Sequence, residues 1–131
     1  MGQAHARLLF VDDEEGLRMV IKAEAEDSGL DVLVGSNGRE ALQLAVDERP
    51  DIIVLDLRMP PPDGYNVLAH LKDDERTKKI PVIILAAIDS YEDRMRAIRL
   101  GAHDVLEKPF TTTMLLRRVR DALEKSARGE I

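Results

Sequence analysis

Ile52-Ile53-Val54-Leu55-Asp56 sets four apolar residues in a row and ends them on a carboxylate. A strand that is apolar at every position has no face for water, so it belongs in the middle of a parallel sheet covered front and back. The pattern recurs on either side of it. Leu8-Leu9-Phe10-Val11 stops at Asp12-Asp13, and Val82-Ile83-Ile84-Leu85 stops at Ala86-Ala87. Val32-Leu33-Val34 and Val105-Leu106 read as shorter strands nearer the edges.

Helical periodicity fills the intervals. Residues 14–28 carry Leu17, Val20, Ile21 and Ala25 on one face and stop at Gly29, a residue suited to the left-handed turn after a helix. Ser36 or Asn37 caps a second helix with Ala41, Leu42, Ala45 and Val46 inward, ending before Pro50. Val67, Leu68 and Leu71 mark a third helix after the Asp63-Gly64 turn. Ser90 with Asp93 three residues on has the form of a capping box for a fourth, with Met95 and Ile98 behind it and Gly101 as the stop. Thr112 or Thr113 opens the last helix, with Leu115, Leu116, Val119 and Leu123 inward. The result is an uninterrupted (βα) unit repeated five times, the pattern of an α/β sheet with helices on both faces. One domain over residues 1–131 is expected, its core about 6–125, with a short frayed tail from Ser126.

Composition agrees with a packed single domain. Of 131 residues 44% are hydrophobic and 34% charged, and there is no cysteine, so neither a disulfide framework nor a thiolate metal site is available. His5, His70 and His103 fall in no metal-ligand spacing. The longest apolar stretch, residues 80–88, is broken by Pro81 and falls well short of the ~20 residues a membrane span needs. Residues 1–7 lack the apolar segment of a secretory signal, which makes the cytoplasm the expected compartment. With 19 basic and 25 acidic residues the net charge is −6, and a phosphate backbone repels such a domain, so direct nucleic-acid binding is not expected.

In open α/β sheets the site lies beyond the carboxyl ends of the strands. Here the first strand ends in Asp12-Asp13, the third in Asp56, and the fifth is followed by Lys108-Pro109. Each residue has an ordinary explanation on its own: Asp12 and Asp13 as helix caps, Asp56 as a turn residue, Lys108 as a surface lysine. Their joint position at one rim of the sheet points instead to a cluster of three carboxylates. Such a cluster repels itself unless a cation sits among its members. Mg²⁺ suits it, since that ion takes one or two carboxylates and then phosphate oxygens, while a lysine supplies a compact charge for a phosphoryl oxygen. Carboxylate nucleophile, metal and lysine together describe phosphoryl transfer to Asp56.

With these residues in place the chain resembles the receiver domains of two-component response regulators. The matching segments are Leu9-Phe10-Val11-Asp12-Asp13-Glu14, Asp56-Leu57-Arg58-Met59-Pro60 with Asp63-Gly64, Ile80-Pro81-Val82-Ile83, Gly101-Ala102 and Lys108-Pro109-Phe110. The resemblance implies a flavodoxin-like fold with the strand order 2-1-3-4-5, one of the two common doubly wound orders. It implies that Asp56 accepts a phosphoryl group from a histidine kinase or phosphotransfer protein. Asp13 and Asp56 would hold Mg²⁺ directly, Asp12 through a water, and Arg58 through its backbone carbonyl. Lys108 and the Ala87 backbone N–H would contact the phosphoryl group, and Lys108-Pro109 would be a cis peptide. The fourth helix, fifth strand and fifth helix would form the face for a downstream effector, an output domain or a second copy of the chain. No catalysis is implied beyond Mg²⁺-dependent phosphorylation and dephosphorylation of the chain itself.

Two positions depart from that family. Ala86 stands where a Thr or Ser hydroxyl normally reaches the phosphoryl group, and Val105 stands where a ring normally follows it inward. A pseudo-receiver, an interaction module that keeps the fold without using phosphorylation, is the alternative these two residues favour. An aspartyl-nucleophile phosphohydrolase shares the chemistry, but such enzymes carry a second Asp two residues after the nucleophile, where this chain has Arg58. Arg94, Arg96 and Arg99, and Arg117, Arg118 and Arg120, read as solvated helix faces or as a basic strip for an acidic partner.

Overall fold

The computed structural model describes residues 5–87 and 89–131. The expectations for residues 1–7 and 80–88 therefore fall partly outside the described residues. Five strands and five helices alternate: β1 Arg7–Val11, α1 Glu15–Asp27, β2 Asp31–Gly35, α2 Gly38–Glu48, β3 Ile52–Asp56, α3 Gly64–Asp73, β4 Val82–Ala87, α4 Tyr91–Arg99, β5 Asp104–Lys108 and α5 Thr112–Ala127. The strands form one sheet in the order β2-β1-β3-β4-β5, every pair parallel, as expected.

Successive strand side chains point to opposite faces, so each all-apolar strand feeds two cores. Leu9, Val11, Ile53, Leu55, Val82, Ile84 and Val105 pack with Ala41 and Ala45 of α2, Val67, Leu68 and Leu71 of α3, and Ala97 of α4. Leu8, Phe10, Ile52, Val54, Ile83, Leu85 and Leu106 face the other way, onto Ile21 and Ala25 of α1 and Leu115, Val119 and Ala122 of α5. Each of the large side chains among them contributes about 1.5–3 kcal/mol on burial. Because both faces are apolar, the polar residues at the strand ends help fix the register: a one-residue slip would draw a residue such as Asp12 or Asp51 into the sheet.

Several local expectations need correction. Val20 of α1 and Ile98 of α4 are exposed rather than inward, because the sheet meets each of these helices along a stripe narrower than the periodicity suggests. Ser90 precedes α4 without a side-chain capping bond. Its hydroxyl donates to the Ala87 carbonyl, and Asp93 is engaged elsewhere, so there is no capping box. Thr111, not Thr112 or Thr113, caps α5 by accepting from the Met114 N–H, which starts the helix at Thr112. Asn37 rather than Ser36 caps α2, accepting from the Glu40 N–H. Lys108 is the last residue of β5 rather than the residue after it. Ser126 and Ala127, placed in the expected tail, continue α5. Gly29 takes the left-handed conformation expected of it, with φ of 100°.

Gly64 governs how closely α3 approaches the carboxyl end of β3. Asp63 caps α3 by accepting from the Asn66 N–H, and the Gly64 N–H donates to the Leu57 carbonyl at 3.0 Å. The start of α3 is thereby held hard against the end of β3. A Cβ on Gly64 would lie 2.6 Å from the Leu57 Cα and 2.7 Å from the Asp56 carbonyl oxygen. Both obstacles are backbone, so a side chain there must push the Asp56 segment aside. Gly64→Ala is expected to destabilise the fold by about 1–3 kcal/mol, the usual cost of overpacking, measured by urea unfolding. A loss below about 0.5 kcal/mol, the scatter of neutral surface changes, would contradict this close approach.

Candidate functional site

The register of the sheet builds the site. Val11 pairs with Leu55, so the residues that follow, Asp12 and Asp56, emerge abreast at the carboxyl ends of β1 and β3. Asp56 pairs with Leu85, and across the next ladder Ala87 pairs with Lys108. Polar groups from β1, β3 and β5 thus meet at one rim, with the end of β4 between them. The sequence placed them at this rim one strand at a time, and the parallel ladder brings them together.

Asp12 and Asp56 are both buried, at 0% and 4% exposure, whereas Asp13 is exposed. Asp12, Asp13 and Asp56 each offer a carboxylate oxygen, and these oxygens all lie within 4.8 Å of one another. Among the described residues this is the one group of acidic or histidine side chains so placed. Lys108 Nζ lies 2.9 Å from Asp12 Oδ2 and 3.4 Å from Asp56 Oδ1. Backbone donors add to this: the Glu14 N–H donates to Asp12 Oδ1 at 3.0 Å, and the Arg58 N–H to Asp56 Oδ1 at 3.3 Å. The carboxylates sit in an open cleft of about 590 Å³ whose walls include Leu17, Arg58, Ala87, Pro109 and Phe110. A larger cleft of about 880 Å³ between α2 and the end of α3 lies away from the strand ends and holds no such cluster among the described residues.

Burial pushes the Asp56 carboxyl up to about 6, and the neighbouring Asp12 charge adds to the rise, against the opposing pull of Lys108. For Lys108 burial works against the charge, but its bond to Asp12 and the charges of Asp56 and Asp12 hold the ammonium above its usual range. One lysine therefore faces two buried carboxylates and a third at the mouth, leaving the cluster a net anion. That imbalance, with hard oxygen donors on a rigid rim, fits a small divalent cation such as Mg²⁺.

Ala86 and Val105 are buried at 1% and 2% in the same core, on the α3 and α4 side of the sheet. Ala87, next in the chain, lines the cleft. Lys108-Pro109 is cis, as the resemblance implied. Two features had no signal in the sequence. Arg18, one turn into α1, donates to the Asp12 carbonyl at 2.8 Å, and Arg58 reaches with its side chain to Asp93 of α4. The first is a local contact across the turn from β1 to α1, and the second joins residues that only the tertiary fold makes neighbours.

The doubly wound parallel sheet, with an acidic rim at the carboxyl ends of its strands, points to one family. The chain belongs to the response regulator receiver domain family, which matches residues 8–120. It is 38% identical over 122 residues to the DNA-binding dual master transcriptional regulator RpaA of Synechocystis sp., covering 93% of this chain and 51% of that protein. To the response regulator PleD of Caulobacter vibrioides it is 41% identical over 115 residues, 88% of this chain and 25% of PleD. It thus spans about half or a quarter of the length of these curated relatives. The receiver domain of Francisella response regulator 1452 superposes with a TM-score of 0.86 at 34% identity, over 93% of this chain and 99% of that one.

The raised Asp56 value makes stability depend on pH. Unfolded, Asp56 returns to its ordinary value, so the folded state holds the proton more tightly. The stabilisation from that proton is fully present below about pH 4 and is lost as pH rises through 6. By pH 7 the loss amounts to about 2–3 kcal/mol without metal. Other carboxylates titrate in the same range, so the quantity to measure is the wild-type stability minus that of Asp56→Asn, by urea unfolding from about pH 4 to 7. The difference should fall with pH. A difference that is flat, or rises, would show that Asp56 is not held in a repulsive, desolvated place.

Proposed function

We propose that this domain accepts a phosphoryl group on Asp56 from a histidine kinase or phosphotransfer protein and passes the signal on through protein–protein contacts. The observation that carries this reading is the juxtaposition of Asp56, Asp12 and Asp13 within 4.8 Å, with Lys108 bonded across Asp12 and Asp56. In the transfer an Asp56 oxygen attacks the phosphorus of a phosphohistidine. The P–O bond forms as the P–N bond breaks, and the imidazole leaves with the electron pair and is reprotonated by solvent. Lys108 holds a phosphoryl oxygen, and the Ala87 N–H offers it a second donor. Asp13 and Asp56, the Arg58 carbonyl, and Asp12 through a water would hold Mg²⁺, which when bound neutralises charge on the phosphoryl oxygens. The chemistry is confined to the chain's own aspartate, so the domain acts as a switch and not as an enzyme on other substrates.

The face made by α4, β5 and α5 is the surface for an effector, an attached output domain or a second copy of the chain. Its ion pairs, Arg94 with Glu107 at 3.4 Å and Arg118 with Asp104 at 2.8 Å, join neighbouring elements of that face. Readout departs from the usual form. With Ala86 there is no hydroxyl to follow the phosphoryl group, and with Val105 no ring to fill the space a hydroxyl vacates. A pseudo-receiver would share both residues, but the complete set Asp12, Asp13, Asp56 and Lys108 favours use of the acid as a phosphoacceptor.

Incubation with acetyl phosphate and Mg²⁺ is expected to add one phosphoryl group by intact mass. The adduct should be labile to hydroxylamine, as an acyl phosphate is, and absent from Asp56→Asn or when the metal is chelated. An adduct that survives hydroxylamine or persists in Asp56→Asn would overturn the assignment to Asp56, and none at all with the folded protein would count for the pseudo-receiver.

A further inference from the structure

Packing holds α4 weakly. Of its residues Ala97 is the one that is buried, while Tyr91 and Ile98 are exposed. Its first turn is instead fixed by a polar clamp centred on Asp93. The Tyr65 hydroxyl of α3 donates to Asp93 Oδ1, and Arg58 Nη2 donates to Asp93 Oδ2, so both carboxylate oxygens are taken. Arg96, one turn along, lies over the Tyr65 ring at 3.9 Å from its centroid. Asp93 is held below the usual carboxylate range, chiefly by the Tyr65 bond and then by Arg58.

Arg58 is also a neighbour of the acidic rim. Two residues past Asp56, its backbone N–H donates to Asp56 Oδ1 while its side chain grips α4. One residue therefore touches the phosphoacceptor through the main chain and the loosest helix through the guanidinium. Ala86 and Val105 offer no such connection, since neither side chain carries a polar atom or a ring.

We propose that the Arg58–Asp93 pair is the link by which the state of Asp56 reaches α4, an inference that rests on Asp56 being the phosphoacceptor. A phosphoryl group on Asp56 adds negative charge on the same side of Arg58 as its main-chain bond and competes with Asp93 for the guanidinium. The two ends of the pair differ in a way that suits release. The Arg58 side chain is 67% exposed and can turn out into solvent, while that of Asp93 is 20% exposed and would keep the Tyr65 bond and the charge of Arg96 but lose its direct cation. A pair this exposed shifts a population and does not lock it. Loosening the first turn of α4 then alters the α4 side of the effector face.

The test is hydrogen exchange across residues 91–100 in wild type, Asp93→Asn and Glu92→Gln, with and without beryllofluoride and Mg²⁺. Bound beryllofluoride is read separately by ¹⁹F NMR. Asn keeps an acceptor for Tyr65 but gives up the charge that holds Arg58, and Glu92→Gln removes a charge from the same turn without touching the clamp. Beryllofluoride is expected to speed exchange of wild-type α4 by about three- to tenfold, the worth of one charge-assisted bond of this exposure. Asp93→Asn should begin at the fast level and change little on binding, while Glu92→Gln follows wild type. If Asp93→Asn binds beryllofluoride and α4 still responds as in wild type, or if Glu92→Gln behaves as Asp93→Asn does, the link is wrong. If wild type shows no bound beryllofluoride signal, the phosphoacceptor reading fails first and this inference fails with it.

Discussion

Two carboxylates, Asp12 and Asp56, stand side by side with almost no access to water, and Lys108 is the group that allows it. Desolvation and mutual repulsion both oppose the pair, and a single ammonium bonded to each offsets only part of that cost. The remainder is visible as the raised Asp56 value. A site left short of positive charge in this way suits a divalent cation and, under the proposed function, a phosphoryl group held by Lys108. The rest of the molecule can be understood as the scaffold that keeps this unfavourable arrangement from relaxing.

That scaffold is the parallel sheet. β1 and β3 are apolar on both faces and fill two cores, and a slip of either would draw a polar residue from its end, such as Asp12 or Asp51, into the sheet. Their register sets Asp12 beside Asp56, and the β4–β5 ladder sets Ala87 beside Lys108. Gly64 closes α3 onto the end of β3, and the Arg18 side chain ties α1 to the Asp12 carbonyl. Burial is most complete in the strands that carry the acid cluster and least in α4, where Ala97 is the one buried residue and the hold is largely polar. Under the proposed link, that division sets a well-packed chemical end beside an element that a modest change in charge can move.

Much of this was legible in the sequence because burial on both faces leaves a simple record. Runs such as Ile52-Ile53-Val54-Leu55 admit few other readings, and their terminal aspartates mark the rim. The cluster of Asp12, Asp13, Asp56 and Lys108 followed from strand ends alone, whereas the strand order rested on the family resemblance. What failed was finer. Val20 and Ile98 fit the helical period yet face solvent, since periodicity cannot say how wide a stripe the sheet will cover. The Ser90 and Asp93 spacing imitated a capping box, but Asp93 found stronger partners in Tyr65 and Arg58, far away in the chain. Arg58 was read for its backbone carbonyl and as the residue that departs from the phosphohydrolase pattern, not for its side chain. The reach of its side chain to α4 leaves no trace in sequence spacing.

A rim built in this way should carry its chemistry on Asp56 and on no other carboxylate of the cluster. Borohydride reduction tests this most directly, because it converts an aspartyl phosphate to homoserine and so marks the acceptor permanently in the chain. After treatment with acetyl phosphate and Mg²⁺, reduction and peptide sequencing by mass spectrometry, homoserine is predicted at position 56 alone, and nowhere when the metal is withheld. Homoserine in place of Asp12 or Asp13, or its absence from position 56 in protein that has taken up phosphate, would contradict the account.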